Sequence, residues 1–101
     1  MPQETKKELH RLLESIIGCK WSLGVIDAVQ RGINRPGAME REIKGISSKV
    51  LSERLKKLTL FKVLERQEYP EIPPRVEYAL TARGQKLVSL IDAINRLAKD
   101  W

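Results

Sequence analysis

The fold is decided by the segment from Gly45 to Thr81, GISSKVLSERLKKLTLFKVLERQEYPEIPPRVEYALT, because its hydrophobic period changes halfway along. In the first half, Leu51, Leu55 and Leu58 recur at helical spacing and predict a helix with one narrow apolar stripe. Ser47 stands where an N-cap hydroxyl accepts a hydrogen bond from a free backbone N–H. The segment therefore predicts a helix over about 47–59. Its opposite, outward side is polar and carries Lys49, Ser52, Glu53 and Lys56.

The second half of the segment predicts a β-hairpin. Two runs rich in β-branched and aromatic residues, Val63–Tyr69 and Arg75–Leu80, have the composition of strands. The connection Pro70–Pro74 contains three prolines, so it is too long for a two-residue turn and is conformationally stiff. A hairpin with a rigid tip that follows such a helix is a wing, here about residues 69–76.

A short helix precedes the one that begins near Ser47. Pro36 suits a first helical turn, and the pattern predicts a helix from there to about Ile43 that Gly45 ends. Two helices joined by a short glycine-containing turn form a helix-turn-helix. The stretch Ile33–Arg35 is predicted to add one short strand beside the hairpin.

Two further helices are predicted at the start of the chain. Gln3–Ile17 has apolar residues at helical spacing and is broken by Gly18, and Lys20–Arg31 is followed by Gly32 in a C-cap position.

The last predicted helix begins at Thr81 and runs to the C-terminus. Apolar residues repeat along it at steps of three and four. In most helices such a stripe packs into the chain's own core, but a small winged domain has little surface to cover about 20 residues. The stripe is therefore predicted to form a dimer interface together with the N-terminal helix. Its members are Leu87, Leu90, Ile91, Ile94, Leu97 and Trp101.

These elements predict one α+β, mostly helical domain over residues 1–101: a winged helix-turn-helix with N- and C-terminal dimerisation helices. A net charge of +6 and a pI of about 9.7 favour anionic partners, either nucleic acid or a membrane surface. Residues 41–66 hold eight basic side chains against three acidic ones, an excess of five, so most of the surplus lies around the helix-turn-helix. Double-stranded DNA is therefore the predicted partner, since its phosphates attract such a cluster.

The outward side of the Ser47 helix is the first candidate for base contacts, although polar residues also simply solvate surface helices. Glu53 either accepts a hydrogen bond from a cytosine amino group or turns aside. Arg75 is predicted to enter a minor groove or to bind a phosphate, the alternative being a solvated charge at a strand end. Arg35 has the same two alternatives at the DNA backbone. The predicted DNA-binding residues are Arg35, Ser47, Ser48, Lys49, Ser52, Glu53, Lys56 and Arg75.

The remaining reactive side chains are few. A single cysteine, Cys19, cannot form an internal disulfide, and with one histidine, His10, it gives no metal-site pattern. Cys19 is either an ordinary small residue or, at a helix N-terminus, a reactive thiol. Trp21 is predicted to be a core residue. No cofactor or catalytic set is predicted, and the absence of a signal sequence or a long apolar run favours the cytoplasm.

Three motifs resemble the HxlR family of prokaryotic winged-helix regulators, which are distantly similar to the MarR group. They are Gly18-Cys19-Lys20-Trp21, then Gly45-Ile46-Ser47-Ser48-Lys49-Val50-Leu51-Ser52, then YPEIPPRVEYALT at 69–81. The resemblance covers roughly Glu8 to the end and implies a dimeric regulator that binds inverted repeats near promoters. Some family members sense electrophiles through a cysteine in the N-terminal helix, but that position is Glu8 here, followed by Leu9, while Cys19 replaces a glycine.

Two classes of function therefore stand beside each other. The first is a sequence-specific regulator that binds DNA as a homodimer and whose small-molecule effector the sequence does not identify. The second is a winged protein-interaction module whose basic surface binds an acidic protein. An enzyme has little support, because the sequence has no Ser/His/Asp set, acidic metal cluster or phosphate-binding glycine loop.

Overall fold

The computed structural model describes residues 3–17 and 19–101, so Gly18 lies outside the described residues. The elements in chain order are α1 (Gln3–Ile17), α2 (Lys20–Gln30), α3 (Pro36–Glu42), α4 (Ser48–Leu60), β1 (Leu64–Tyr69), β2 (Arg75–Leu80) and α5 (Ala82–Asp100). The five predicted helices and the two strands of the predicted hairpin are thus confirmed to within about one residue at their ends. The architecture is a helix-turn-helix, α3 and α4, followed by a two-stranded wing and flanked by α1, α2 and α5.

Local capping explains why α4 and α5 begin where they do. The Ser47 hydroxyl accepts a hydrogen bond from the Val50 N–H at 3.1 Å, and the Thr81 hydroxyl accepts one from the Gly84 N–H at 3.0 Å. Each bond satisfies one of the backbone donors that a helix leaves free in its first turn. In the turn between α3 and α4, Gly45 has a φ of +83°, a conformation that costs glycine little.

The core lies between α2, α4 and the base of the hairpin, and α1 covers one side of it. Leu51, Leu55 and Leu58 are all buried, so the predicted apolar stripe of α4 is confirmed. They pack with buried residues of the neighbouring elements, including Ile26, Met39 and Val63. Burial of each large side chain stabilises the fold by about 1.5–3 kcal/mol, and this burial fixes which side of α4 stays outside.

The wing is an antiparallel hairpin whose register pairs Leu64 with Leu80 at its base and Tyr69 with Arg75 near its tip. The prediction of an added strand at Ile33–Arg35 was wrong. Among the described residues this stretch makes one ladder-like bond to the hairpin, from the Tyr78 N–H to the Asn34 carbonyl at 2.9 Å. Pro36 follows at once and begins α3, so the extended stretch is too short to continue the pairing.

The chain itself buries only part of the apolar stripe that the sequence predicted along α5. Leu87 is only 6% exposed and lies in the chain's own core, while Ile91 packs partly against that core. The distal members are exposed, with Leu97 at 59% and Trp101 at 96%. The first half of α5 therefore belongs to the winged domain itself. Its outer part presents an uncovered apolar stripe of Leu90, Ile94, Leu97 and Trp101.

The first turn of α5 lies directly against the segment that connects α4 to β1. Gly84 is buried there, and a Cβ atom on it would overlap the carbonyl oxygen of Val63 and approach Leu80 Cδ2 to 3.0 Å. Backbone atoms cannot move aside as a flexible side chain does. The close approach of α5 to the hairpin base thus requires glycine at position 84.

We predict that Gly84→Ala lowers the free energy of unfolding by about 1–3 kcal/mol, because the new methyl group must push α5 away from the hairpin base. Urea unfolding at a fixed protein concentration measures this. Gly37→Ala is the matched control, since Gly37 is exposed in α3 and a Cβ there would have Arg41 Nη1 as its nearest neighbour, at 3.7 Å. That control should stabilise by up to about 1 kcal/mol. Equal effects of the two substitutions would contradict the steric account.

Candidate nucleic-acid interface

The outward side of α4 holds most of the predicted DNA contacts. Lys49, Ser52, Glu53 and Lys56 are all exposed, as their positions opposite the apolar stripe require. Helix α4 carries four basic side chains against one acidic one, an excess of three positive charges. A convex helix with this charge has the shape and sign that suit the major groove of DNA.

The two serines at the start of α4 have local partners. The Ser47 hydroxyl is the N-cap acceptor, and the Ser48 hydroxyl donates to Glu40 Oε1 of α3 at 2.6 Å. Both side chains are exposed; the Ser47 hydroxyl caps α4 itself, and the Ser48 hydroxyl connects α4 to α3. Contacts of these two serines with DNA remain a prediction.

A cavity of about 430 Å³ separates α4 from the hairpin. Ser52 and Lys56 line it from α4, while Arg66 and Tyr78 line it from the wing. The outward side of α4 and the inner face of the wing therefore form one concave surface, which we call the helix–wing groove. Sequence reasoning missed Arg66, although its position two residues after the buried Leu64 was a signal that the two side chains share one face of β1.

Arg75 is held tightly within the wing. Its Nη2 lies 3.2 Å from Glu71 Oε1, its Nε lies 3.6 Å from Glu77 Oε2, and its guanidinium carbon lies 4.0 Å from the centre of the Tyr69 ring. The side chain is therefore not a freely solvated strand-end charge. Its predicted contact with DNA stays a prediction, and any such contact must use the part of the guanidinium that these partners leave open.

Arg35 also contacts the Glu77 carboxylate. Its Nε donates to Glu77 Oε2 at 3.3 Å, so Arg35, just before α3, is tied to the wing. Two of the predicted DNA contacts, Arg35 and Arg75, thus converge on Glu77, which the sequence had not singled out. The pairing of Arg35 across 42 positions of sequence left no local signal.

The wing is acidic, unlike α4. From Leu64 to Leu80 it contains four glutamates and two arginines, an excess of two negative charges. At its tip Ile72 is completely exposed, between Glu71 and Pro73. The positive charge available to phosphates is therefore concentrated on the helix, and the wing tip offers an apolar side chain.

Cys19 is the N-cap residue of α2 and is partly buried. Burial raises the pKa of its thiol, but hydrogen bonding from Ser22 and the Trp21 backbone, together with the charge of Arg54, outweighs burial and lowers that pKa overall. Trp21 packs partly against the core, which agrees with its predicted structural role. Both predicted alternatives for Cys19, an ordinary small residue and a reactive thiol, stay predictions.

Over residues 3–17 and 19–101, no three His, Cys, Asp or Glu side chains come together as metal ligands. His10 lies exposed on α1. None of the helices in these ranges combines the length and the apolarity needed to cross a bilayer.

Comparison with known proteins agrees with this geometry. The family model described as HxlR-like helix-turn-helix matches residues 16–101. A protein of Synechocystis named as an uncharacterized HTH-type transcriptional regulator is 42% identical over 82 residues, which are 81% of this chain and 61% of that protein. The chain thus spans less than two thirds of the length of this relative.

Solved structures of similar proteins share the whole fold. A MarR-family putative transcriptional regulator from Enterococcus faecalis superposes with a TM-score of 0.82 at 30% identity, covering 99% of this chain and 88% of that one. The reduced form of the transcriptional regulator YodB from Bacillus subtilis gives a TM-score of 0.80 at 32% identity, covering 90% of this chain and 89% of that one. The family match extends over α2 to α5, which include the whole helix-turn-helix and wing. The chain therefore belongs to the HxlR-like helix-turn-helix family.

Proposed function

We propose that the protein is a sequence-specific transcriptional regulator that binds inverted-repeat DNA as a homodimer, with α4 as its recognition helix. The observation that carries this proposal is the outward side of α4, where Lys49, Ser52, Glu53 and Lys56 stay exposed while the opposite stripe is buried. The family relationship supports the same conclusion, because the relatives compared above are named as transcriptional regulators.

In this proposal α4 enters the major groove and its lysines bind phosphates. Ser52 and Glu53 then address base edges, Glu53 by accepting from a cytosine amino group. The wing lies on the DNA beside α4. The phosphate backbone that separates the major from the minor groove of the DNA then passes over the helix–wing groove of the protein. Lys56 is the cation that would meet it from α4, and Arg66 would do so from the wing in exchange for its 3.0 Å contact with Glu68.

The exposed stripe of α5 supplies the argument for a homodimer. Leu97 and Trp101 are large apolar residues that the single chain leaves in water. A second copy would cover them with an identical stripe related by a two-fold axis. Two recognition helices related in this way fit half-sites about one helical turn apart, roughly 34 Å along the duplex.

The rival proposal, a winged module that binds an acidic protein, makes a different prediction about DNA. Such a module would bind any duplex through charge alone, with no preference among sequences. Gel-shift titration of the duplex upstream of the protein's own gene against a random duplex of equal length separates the two. Affinity ratios near one, at every salt concentration, would contradict the regulator and favour the module.

We predict that Lys49→Ala and Lys56→Ala each reduce the slope of log affinity against log salt concentration by about one, because each removes one phosphate contact. Fluorescence anisotropy with the upstream duplex at several salt concentrations measures the slope. Lys99→Ala is the control, since it removes the same charge from the last turn of α5. If all three variants shift the slope equally, long-range charge is responsible and α4 is not the contact surface.

A second prediction concerns the dimer. Leu97→Glu should convert the dimer to a monomer, because it buries a carboxylate without a partner between two apolar stripes. Sedimentation velocity measures the change. Ser89→Glu adds the same charge on a different side of α5, where Ser89 is exposed, and should leave the dimer intact. A wild-type protein that sediments as a monomer would overturn the proposed assembly.

A further inference from the structure

We infer that Glu77 is a positioning residue that fixes the angle of the wing relative to the helix-turn-helix, and thereby the specificity of DNA binding. The inference rests on the proposed DNA-binding function. It starts from the carboxylate of Glu77, whose Oε2 lies 3.3 Å from Arg35 Nε and 3.6 Å from Arg75 Nε. One carboxylate oxygen thus joins the residue before α3 to the distal half of the wing.

The Glu77 carboxylate lies where solvent is partly excluded, because its side chain is only 22% exposed. Arg35 Nε donates a hydrogen bond to it, while Arg75 Nε, at 3.6 Å, is an ion-pair contact with no hydrogen-bond partner among the described residues. Both attractions are stronger where solvent is partly excluded. The neighbouring bond from the Tyr78 N–H to the Asn34 carbonyl, 2.9 Å long, runs between the same two segments. Together the two contacts connect β2 to the segment that leads into α3.

The Arg75 side of the junction extends toward the wing tip. Arg75 stacks on Tyr69, its partner in the hairpin register, and pairs with Glu71 in the tip. The Tyr69 hydroxyl donates to Gln67 Oε1 at 2.9 Å, and Gln67 is the register partner of Glu77. The contacts therefore form a continuous set that runs from α3 to the tip along one face of the hairpin.

Core packing holds the two strands of the wing unequally. In β1 only Leu64 is buried and Glu65 to Glu68 are all exposed, whereas in β2 Tyr78 is buried and Val76 packs partly against the core. Side chains alternate between the two faces of a strand, so Glu77, between Val76 and Tyr78, lies on the face that the core does not hold. Its contact with Arg35 adds a polar restraint on that second face.

The test uses a substitution for which positioning and simple charge predict opposite results. Glu77→Gln keeps the size of the side chain but removes one negative charge. Charge alone predicts tighter binding to every duplex, because the protein becomes more positive. Positioning predicts that affinity for a duplex selected from a random pool falls by roughly tenfold, while affinity for random DNA holds or rises.

Glu65→Gln is the matched control, as it removes the same charge from an exposed position of the same hairpin. It should tighten binding to both duplexes equally. The double variant Arg35→Gln with Glu77→Gln should bind both duplexes more weakly, since Arg35 is also a predicted backbone contact, but its ratio of selected to random affinity should equal that of Glu77→Gln alone. A Glu77→Gln variant that behaves like Glu65→Gln would overturn the inference.

A measurement without DNA separates this inference from the proposed function. Hydrogen exchange of the Tyr78 amide should be faster in Glu77→Gln than in the wild type, while amides of Leu55 and Leu58 in α4 exchange at unchanged rates. An unchanged Tyr78 rate means that Glu77 does not hold the wing, whatever the DNA result. Faster exchange in a protein that shows no preference among duplexes supports the junction and contradicts the regulator.

Discussion

The fold depends on the hydrogen bonds of Thr81, at the point where the hairpin ends beside the end of α4 and α5 begins. The Thr81 N–H donates to the Val63 carbonyl at 3.1 Å, and the Thr81 hydroxyl donates to the carbonyl of Lys62 while accepting from the Gly84 N–H. Lys62 itself has a φ of +62°, which turns the chain sharply out of α4. One threonine therefore terminates the sheet and caps the next helix. The direction of the wing's base and that of α5 are both set by this residue.

The sequence was sufficient for those parts of the fold that local chemistry determines. The spacing of Leu51, Leu55 and Leu58 gave the buried side of α4, and the hydroxyls of Ser47 and Thr81 gave two helix starts. These signals are local because a cap lies within three residues of its donor and a stripe repeats every turn.

The features that the sequence did not determine depend on contacts between distant residues. Leu87 and Leu97 have the same type of side chain and lie in the same predicted stripe, yet only Leu87 is buried by the chain itself. The place where α5 leaves the domain depends on the close packing at Gly84, which periodicity cannot show. Arg35 and Arg75 were recognised as cations near the DNA surface, but their shared partner Glu77 became visible only once the hairpin lay beside the start of α3.

Charge is distributed unequally over the candidate interface, and this has a consequence for specificity. The excess of three positive charges on α4 provides attraction that every duplex sequence shares. The acidic wing weakens that attraction locally, since Arg75 contacts Glu71, Glu77 and the Tyr69 ring, and Arg66 pairs with Glu68 at 3.0 Å. A wing of this composition contributes little to general affinity. Its exposed Ile72 and its angle can favour one DNA shape over another, since the cost of a misfit depends on sequence.

The two halves of α5 also have different surroundings. Its first turns complete a thin core, and its last turns leave Leu97 and Trp101 in water. A chain of 101 residues has a small core, so in the proposed homodimer the burial of the distal stripe against a second copy would add to stability. Because that contribution would require the partner, the stability of the fold in the proposed homodimer would rise with protein concentration. The stripe that sets the spacing of two recognition helices would then also decide how much of the chain is folded when DNA is scarce.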